Sequence, residues 1–165
     1  MGLPLSQLED DLEMFFTDLP GTAAACADAW GGIYVAYAAG AISPGGGGPG
    51  PLAAAQAALA AAFLSAAGGT SAAATAAALS AAFTAFWLTP PVSFAFTPPN
   101  TTPGAVTLVS GTAALQAAIA GMPPAATRRA GAEQFAAAIH AFTMTVVVTH
   151  PNTPPVVPPV VGPIS

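Results

Sequence analysis

The sequence predicts a mainly α fold, an alanine-rich helical bundle with a small β element at about 92–97, 105–109 and 143–149 and an extended C-terminal tail. Three observations lead there. Alanine fills 43 of 165 positions, in long stretches punctuated by Pro and Gly. Large apolar residues recur at helical spacing within those stretches. Alternating or β-branched runs are confined to three short segments, and six prolines fall in residues 150–165. The expected organisation is one helical domain over 1–149, interrupted by a flexible Gly/Pro linker at 43–51, then a Pro-rich tail over 150–165.

Residues 5–19 form the first expected helix. Leu5, Leu8, Leu12, Phe15, Phe16 and Leu19 make an apolar stripe, Ser6 with Glu9 reads as a capping box, and Pro20-Gly21 ends the segment. A second helix follows from Thr22 to about Ala41, with Gly31-Gly32 in its middle, where a kink or a close helix contact would explain the glycines. Residues 43–51 carry four consecutive glycines among prolines. No Gly-Lys-Ser/Thr follows them, so they do not read as a phosphate loop. Pro51 suits the first turn of a third helix, 52–67. Gly68-Gly69 separates it from a fourth, 72–88, which Ser71 can cap.

Beyond Pro90-Pro91 the period changes. Val92, Phe94 and Phe96 alternate with small residues, the pattern of a half-buried strand. Residues 105–109 read as a second strand, Thr112 as the cap of a short helix over 113–120, and 125–142 as the last helix. Thr143-Met-Thr-Val-Val-Val-Thr149 is a strand by propensity, and the uncharged tail favours an extended polyproline-like course. Two segments echo one another: an Ala-rich helix and a strand precede Thr97-Pro-Pro-Asn100-Thr-Thr-Pro103, and again Thr149-His-Pro-Asn152-Thr-Pro-Pro155. The strands of the two units are candidates to pair in one sheet.

Charged residues make up only 5 % of the chain, against about a quarter in an ordinary soluble domain. There is no lysine, and the only cations are Arg128 and Arg129. Six of the seven acids precede residue 29: Glu9, Asp10, Asp11, Glu13, Asp18 and Asp28. Nucleic-acid contact is not expected, because neutralising phosphates needs a basic stripe. The acidic head could instead dock on a basic partner surface. Cys26 is alone, so no disulfide forms within the chain. The first residues lack the basic and apolar regions of a secretory leader, so such a route is not expected.

The inventory for chemistry is thin. His140 and His150 lie ten residues apart with no nearby Cys or carboxylate, which does not make a metal site. The acids at 10–13 lack the spacing and glycine of a calcium loop, and no Gly-x-Ser-x-Gly elbow occurs. Arg129 and Glu133 form an ordinary i, i+4 helix pair. No catalytic residue, cofactor or metal is expected.

The segment Gln134-Phe-Ala-Ala-Ala-Ile-His-Ala-Phe142, the strand after it and the close Val161-Gly-Pro-Ile-Ser165 together resemble small Ala-rich structural proteins of tailed phages and phage-tail-like particles. The resemblance is carried by residues 132–165. It implies a non-enzymatic virion component of the neck, tail or baseplate, assembled in the host cytoplasm. Its partners would be copies of itself and other particle subunits.

Alanine faces that pack on copies, and a strand edge open to a neighbour, point the same way. The candidate interface residues are Leu8, Leu12, Phe15 and Phe16 of the first helix, Arg128 and Arg129, Val146 and Val148 of the last strand, and Val156 and Val160 of the tail. The alternative is a small membrane-associated helical protein, since 52–88 carries no charge. Alanine, serine and threonine drive insertion weakly, however, and no Lys or Arg flanks the segment.

Overall fold

The computed structural model of the chain describes residues 2–66, 71–88, 92–152 and 158–165. Among these residues the order of elements is α1 (Leu5–Thr17), α2 (Ala23–Ala38), β1 (Gly46–Pro49), α3 (Ala53–Ala66), α4 (Ala72–Leu88), β2 (Ser93–Phe96), β3 (Gly104–Val109), α5 (Thr112–Ala120), α6 (Arg128–Thr143), β4 (Val146–His150) and β5 (Val160–Pro163). The expected linker at 43–51 and the expected strands lie within the described residues, as do residues 150–152 and 158–165 of the expected tail. The Gly68-Gly69 and Pro90-Pro91 breaks and Val156 lie outside them.

Side-chain caps start three helices. Thr22, Ser71 and Thr127 each accept the N–H three residues on at 3.1 Å, an interaction typically contributing about 1 kcal/mol. The capping box expected at Ser6 and Glu9 does not form. α1 begins at Leu5 behind Pro4, with no side-chain cap, which puts Ser6 inside the first turn. Thr112 does not cap α5 either. It is the first helical residue, and its hydroxyl meets that of Thr84 on α4 at 2.6 Å.

The expectation of a helical bundle with a small β element is overturned. The strands make one five-stranded antiparallel sheet in the order β1-β2-β3-β4-β5, so the architecture is mixed α and β. Two of the strands come from segments with no strand signal. Gly46–Pro49, expected as a linker, pairs with β2 in the register Gly46↔Phe96 and Pro49↔Phe94. An edge strand tolerates Pro49 because only one side of its backbone is paired. The tail is not an extended arm. Its residues 160–163 pair with β4 from Val147↔Pro163 to His150↔Val160. The side chain of Ile164 is fully buried, and Ser165 exchanges two backbone hydrogen bonds with Ile42 at 3.0 and 3.1 Å. β4 is therefore an interior strand, and it begins at Val146 because α6 runs on through Thr143.

The echoed units are α4–β2–β3 and α6–β4–β5. Their strands share the sheet, but β2 and β4 are not neighbours, since β3 lies between them. Their loops meet instead. Asn152 Nδ2 donates to Asn100 Oδ1 at 2.8 Å, and Asn152 Oδ1 accepts the Thr101 N–H at 3.0 Å.

The helices pack successively, each on the next, and α6 returns to α1. Alanine lets them approach closely. At Gly31 of α2 a β-carbon would already touch Gln56 and Ala60 of α3 at 3.4–3.5 Å, which is the close contact its sequence suggested. The few large side chains converge rather than scatter. Tyr34, Phe83, Phe86 and Trp87 pack with ring centroids 4.7–6.4 Å apart, and Trp87 stacks on Phe94 of β2 at 6.2 Å, tying helices to sheet.

One end of the sheet closes around His150. Its buried ring bonds through Nδ1 to the Thr102 carbonyl at 3.0 Å and through Nε2 to Ser43 Oγ at 2.9 Å. Because the carbonyl only accepts, Nδ1 donates, and in the neutral ring Nε2 accepts from the serine. Gly45 and Gly104 flank the ring so tightly that a β-carbon at either would lie 2.5 Å from it. Gly104→Ala is expected to destabilise the fold by about 1–3 kcal/mol through overpacking, read as a lower midpoint in chemical denaturation with an unchanged slope.

Candidate functional site

The proposed interface residues divide sharply. Leu8, Leu12 and Phe15 point into the chain's own core, as do Val146 and Val148, and Phe16 is partly buried against it. Burial of Leu8, Leu12, Val146 and Val148 leaves them no surface for a partner, whereas Phe15, 8 % exposed, also lines the groove described below. Phe16 and Phe15 lie edge-on to Trp30 of α2, and Phe16 also meets Phe135 of α6. The amphipathic stripe of α1 thus anchors that helix between α2 and α6. Val160 is half-buried on β5, and Arg128 is exposed at the start of α6. Val156 lies outside the described residues.

Arg129 carries the α1–α6 contact at the surface. Its guanidinium donates to Asp10, to Glu13 and Glu9 of α1 at 3.2 Å each, and to Glu133 of its own helix at 2.8 Å. Hydrogen bonds to Asp10, Glu133 and Glu13 hold it firmly in its protonated form. The i, i+4 pair read from the sequence is real, but three of the four partners come from more than a hundred residues away. Spacing within a helix cannot reveal them.

A second polar feature had no sequence signal. Trp87 Nε1 donates to Tyr34 Oη at 2.8 Å, Tyr34 Oη meets Thr143 Oγ1 at 3.0 Å, and Thr143 donates to the Ile139 carbonyl at 2.8 Å. An indole only donates and a carbonyl only accepts, so the protons run one way, from Trp87 through Tyr34 and Thr143 to Ile139. Beside it Tyr37 Oη lies 2.6 Å from His140 Nδ1. Burial pushes both phenols above their ordinary range, against the hydrogen bonds at Tyr34 and together with the neighbouring Tyr34 at Tyr37. These hydroxyls are hydrogen-bond donors and acceptors within the buried core.

Among the described residues two surfaces stand out. The first is a groove of about 700 Å³ between α1 and α2, lined also by Thr17 and Pro20. Phe15, Ala29 and Ile33 give it apolar walls, Met14 stands 69 % exposed, and Asp10, Asp11, Glu13 and Asp18 rim it. Partial burial, and then the adjacent Asp10, raise Asp11 above the usual carboxylate range. The second is the outer face of the sheet. Ala105, Leu108, Val147, Thr149, Val161 and Pro163 share it, with Leu108 opposite Val147 and Val161 opposite Thr149. The Thr107 and Thr149 hydroxyls bond across it at 3.0 Å. Among the described residues no strand contributes an Asp, Glu, Lys or Arg. Among the described residues no helix is long and apolar enough to cross a membrane, and no three His, Cys, Asp or Glu side chains gather as a metal site.

No protein-family model, characterised protein or solved structure matches this chain.

Replacing Tyr34 with Phe strands the Trp87 N–H and removes the donor to Thr143. The expected loss is about 1–3 kcal/mol of stability, measured by denaturant unfolding, with Tyr37→Phe less costly because its hydroxyl bonds to His140 alone whereas that of Tyr34 serves both Trp87 and Thr143. Asp11→Asn is expected to act in the opposite sense. A carboxylate whose folded pKa is raised contributes stability below its unfolded pKa that is lost as pH rises through the folded value. The amide should therefore raise the melting temperature at neutral pH, and the gain should vanish in acid.

Proposed function

We propose that the chain is a non-enzymatic structural subunit of a phage or phage-like particle, placed in its neck, tail or baseplate, and that it meets copies of itself or other particle subunits through the outer face of its sheet. The virion would be its site of action, after assembly in the host cytoplasm. The observation that carries the reading is the uncharged outer sheet face. An antiparallel sheet with one solvated side ordinarily alternates apolar and polar residues so that the wet side is polar. Here Leu108 and Val161 are 53 % and 60 % exposed on that side, next to Val147 and Pro163. Contiguous exposed apolar surface marks an interaction site in soluble proteins.

The resemblance of residues 132–165 to Ala-rich virion proteins supplies the particle. The mode of assembly differs from the one the sequence suggested. The tail from 158 onward is spent within the chain as β5, and the end of that strand is covered by Ile42. A sheet face rather than a donated arm is then the available contact. Arg129, Glu133, His140 and His150 are engaged in internal bonds, which supports a structural role.

Particles purified from the producing strain are expected to contain the chain at a fixed copy number by quantitative mass spectrometry. A Leu108→Lys, Val161→Lys double variant should fold, since both positions are exposed, yet fail to enter particles. Particles that lack the chain, or that incorporate the folded double variant normally, overturn the proposal.

A further inference from the structure

The groove between α1 and α2 lies on different elements from the sheet face, and its charge distinguishes among the occupants it could take. Its walls are apolar where Phe15, Ala29 and Ile33 meet, and Met14 stands over them. Its rim is acidic. Asp10 and Glu13 are already bridged by Arg129, whereas Asp11 and Asp18 make no ion pair among the described residues. From Asp10 to Asp18 the rim extends roughly 12 Å along the α1 direction, about two helical turns.

Three occupants can be compared. A second copy of this chain brings another net charge of −5 and only two cations, one of them Arg129, which is held by four carboxylates. Like charges facing each other across an interface are costly. A metal ion needs converging ligands, and no such group occurs among the described residues. A segment with an apolar face flanked by Lys or Arg satisfies both halves of the groove. Helices lie in such grooves with anchors at i, i+3 or i+4 and i+7, and two turns of helix match the length of the rim.

We infer that the α1–α2 groove binds a lysine- or arginine-bearing amphipathic helix of a different protein. Its apolar anchors sit against Met14, Phe15 and Ile33, and its cations face Asp11 and Asp18. The inference stands on the groove alone and does not depend on the particle reading.

The test uses the full chain and a synthetic probe, a Leu/Lys peptide of about 18 residues patterned with one apolar face as five helical turns. The controls are a scrambled peptide of the same composition, a Leu/Glu counterpart and spermidine. The patterned peptide is expected to bind in the micromolar range at low salt, weakening as salt rises. Asp11→Asn combined with Asp18→Asn should weaken it about tenfold, the effect of losing two rim charges, and Met14→Ala should weaken it independently. NMR shift changes should cluster at residues 10–20 and 29–33. Equal binding of the scrambled peptide, displacement of the probe by spermidine, or indifference to the Asp11 and Asp18 changes would each overturn the inference. Loss of particle incorporation in the Leu108 and Val161 variant reports on the sheet face alone, so the two proposals fail separately.

Discussion

The hydroxyl of Tyr34 is the interaction on which the helical layer depends. The five helices after α1 are rich in alanine, and their smooth faces can slide. Methyl-on-methyl packing sets distance but not register. Tyr34 on α2 accepts from Trp87 on α4 and hands its own proton to Thr143 on α6. Its ring also touches Phe83 and Phe86 at 4.7 and 4.8 Å. Three helices far apart in sequence are thereby held at one point, with every donor and acceptor in that chain satisfied. In a dry core an unpaired member would be costly, so the network selects one arrangement of otherwise interchangeable helices.

A comparable constraint closes the sheet. His150 at the end of β4 reaches back to Ser43 ahead of β1 and across to Thr102 ahead of β3. The Asn100–Asn152 contact joins the two echoed loops beside it. Together these side chains connect the first strand to the last, although β1 and β5 are the two edges of the sheet. The glycines on either side of the imidazole are there because a β-carbon would not fit. A segment that reads as a floppy linker is in fact one wall of a tight pocket.

The scarcity of charge has a regional meaning in the fold. Acid is concentrated on and after α1, and Arg129 of α6 gathers three α1 carboxylates, Glu9, Asp10 and Glu13, to hold that helix. Among the described residues the strands of the sheet carry no Asp, Glu, Lys or Arg. The molecule therefore offers two chemically distinct surfaces. One is acidic with an apolar floor, suited to a basic helix. The other is neutral and β-branched, suited to another neutral surface. A part in an assembly with unlike neighbours would use both.

Much of this was legible in the sequence and much was not. Helix positions follow from periodicity, from Pro and Gly breaks and from the caps Thr22 and Ser71, because a helix satisfies its hydrogen bonds locally. The β-branched run 146–149 announces itself by propensity, and the acidic head is visible by composition. The strands at Gly46–Pro49 and Val160–Pro163 have no such signal. They exist because β2 and β4 present unpaired backbone to them, and backbone pairing does not consult side chains. The same reason hid the role of α1. Its stripe of Leu8, Leu12 and Phe15 says only that one face seeks apolar surroundings. Whether those come from a neighbour or from the chain's own α2 and α6 is decided by where distant segments lie. Local residue chemistry determined which stretches could be helices. Long-range packing alone decided that glycine and proline segments would complete a sheet, and so which surfaces were left for partners.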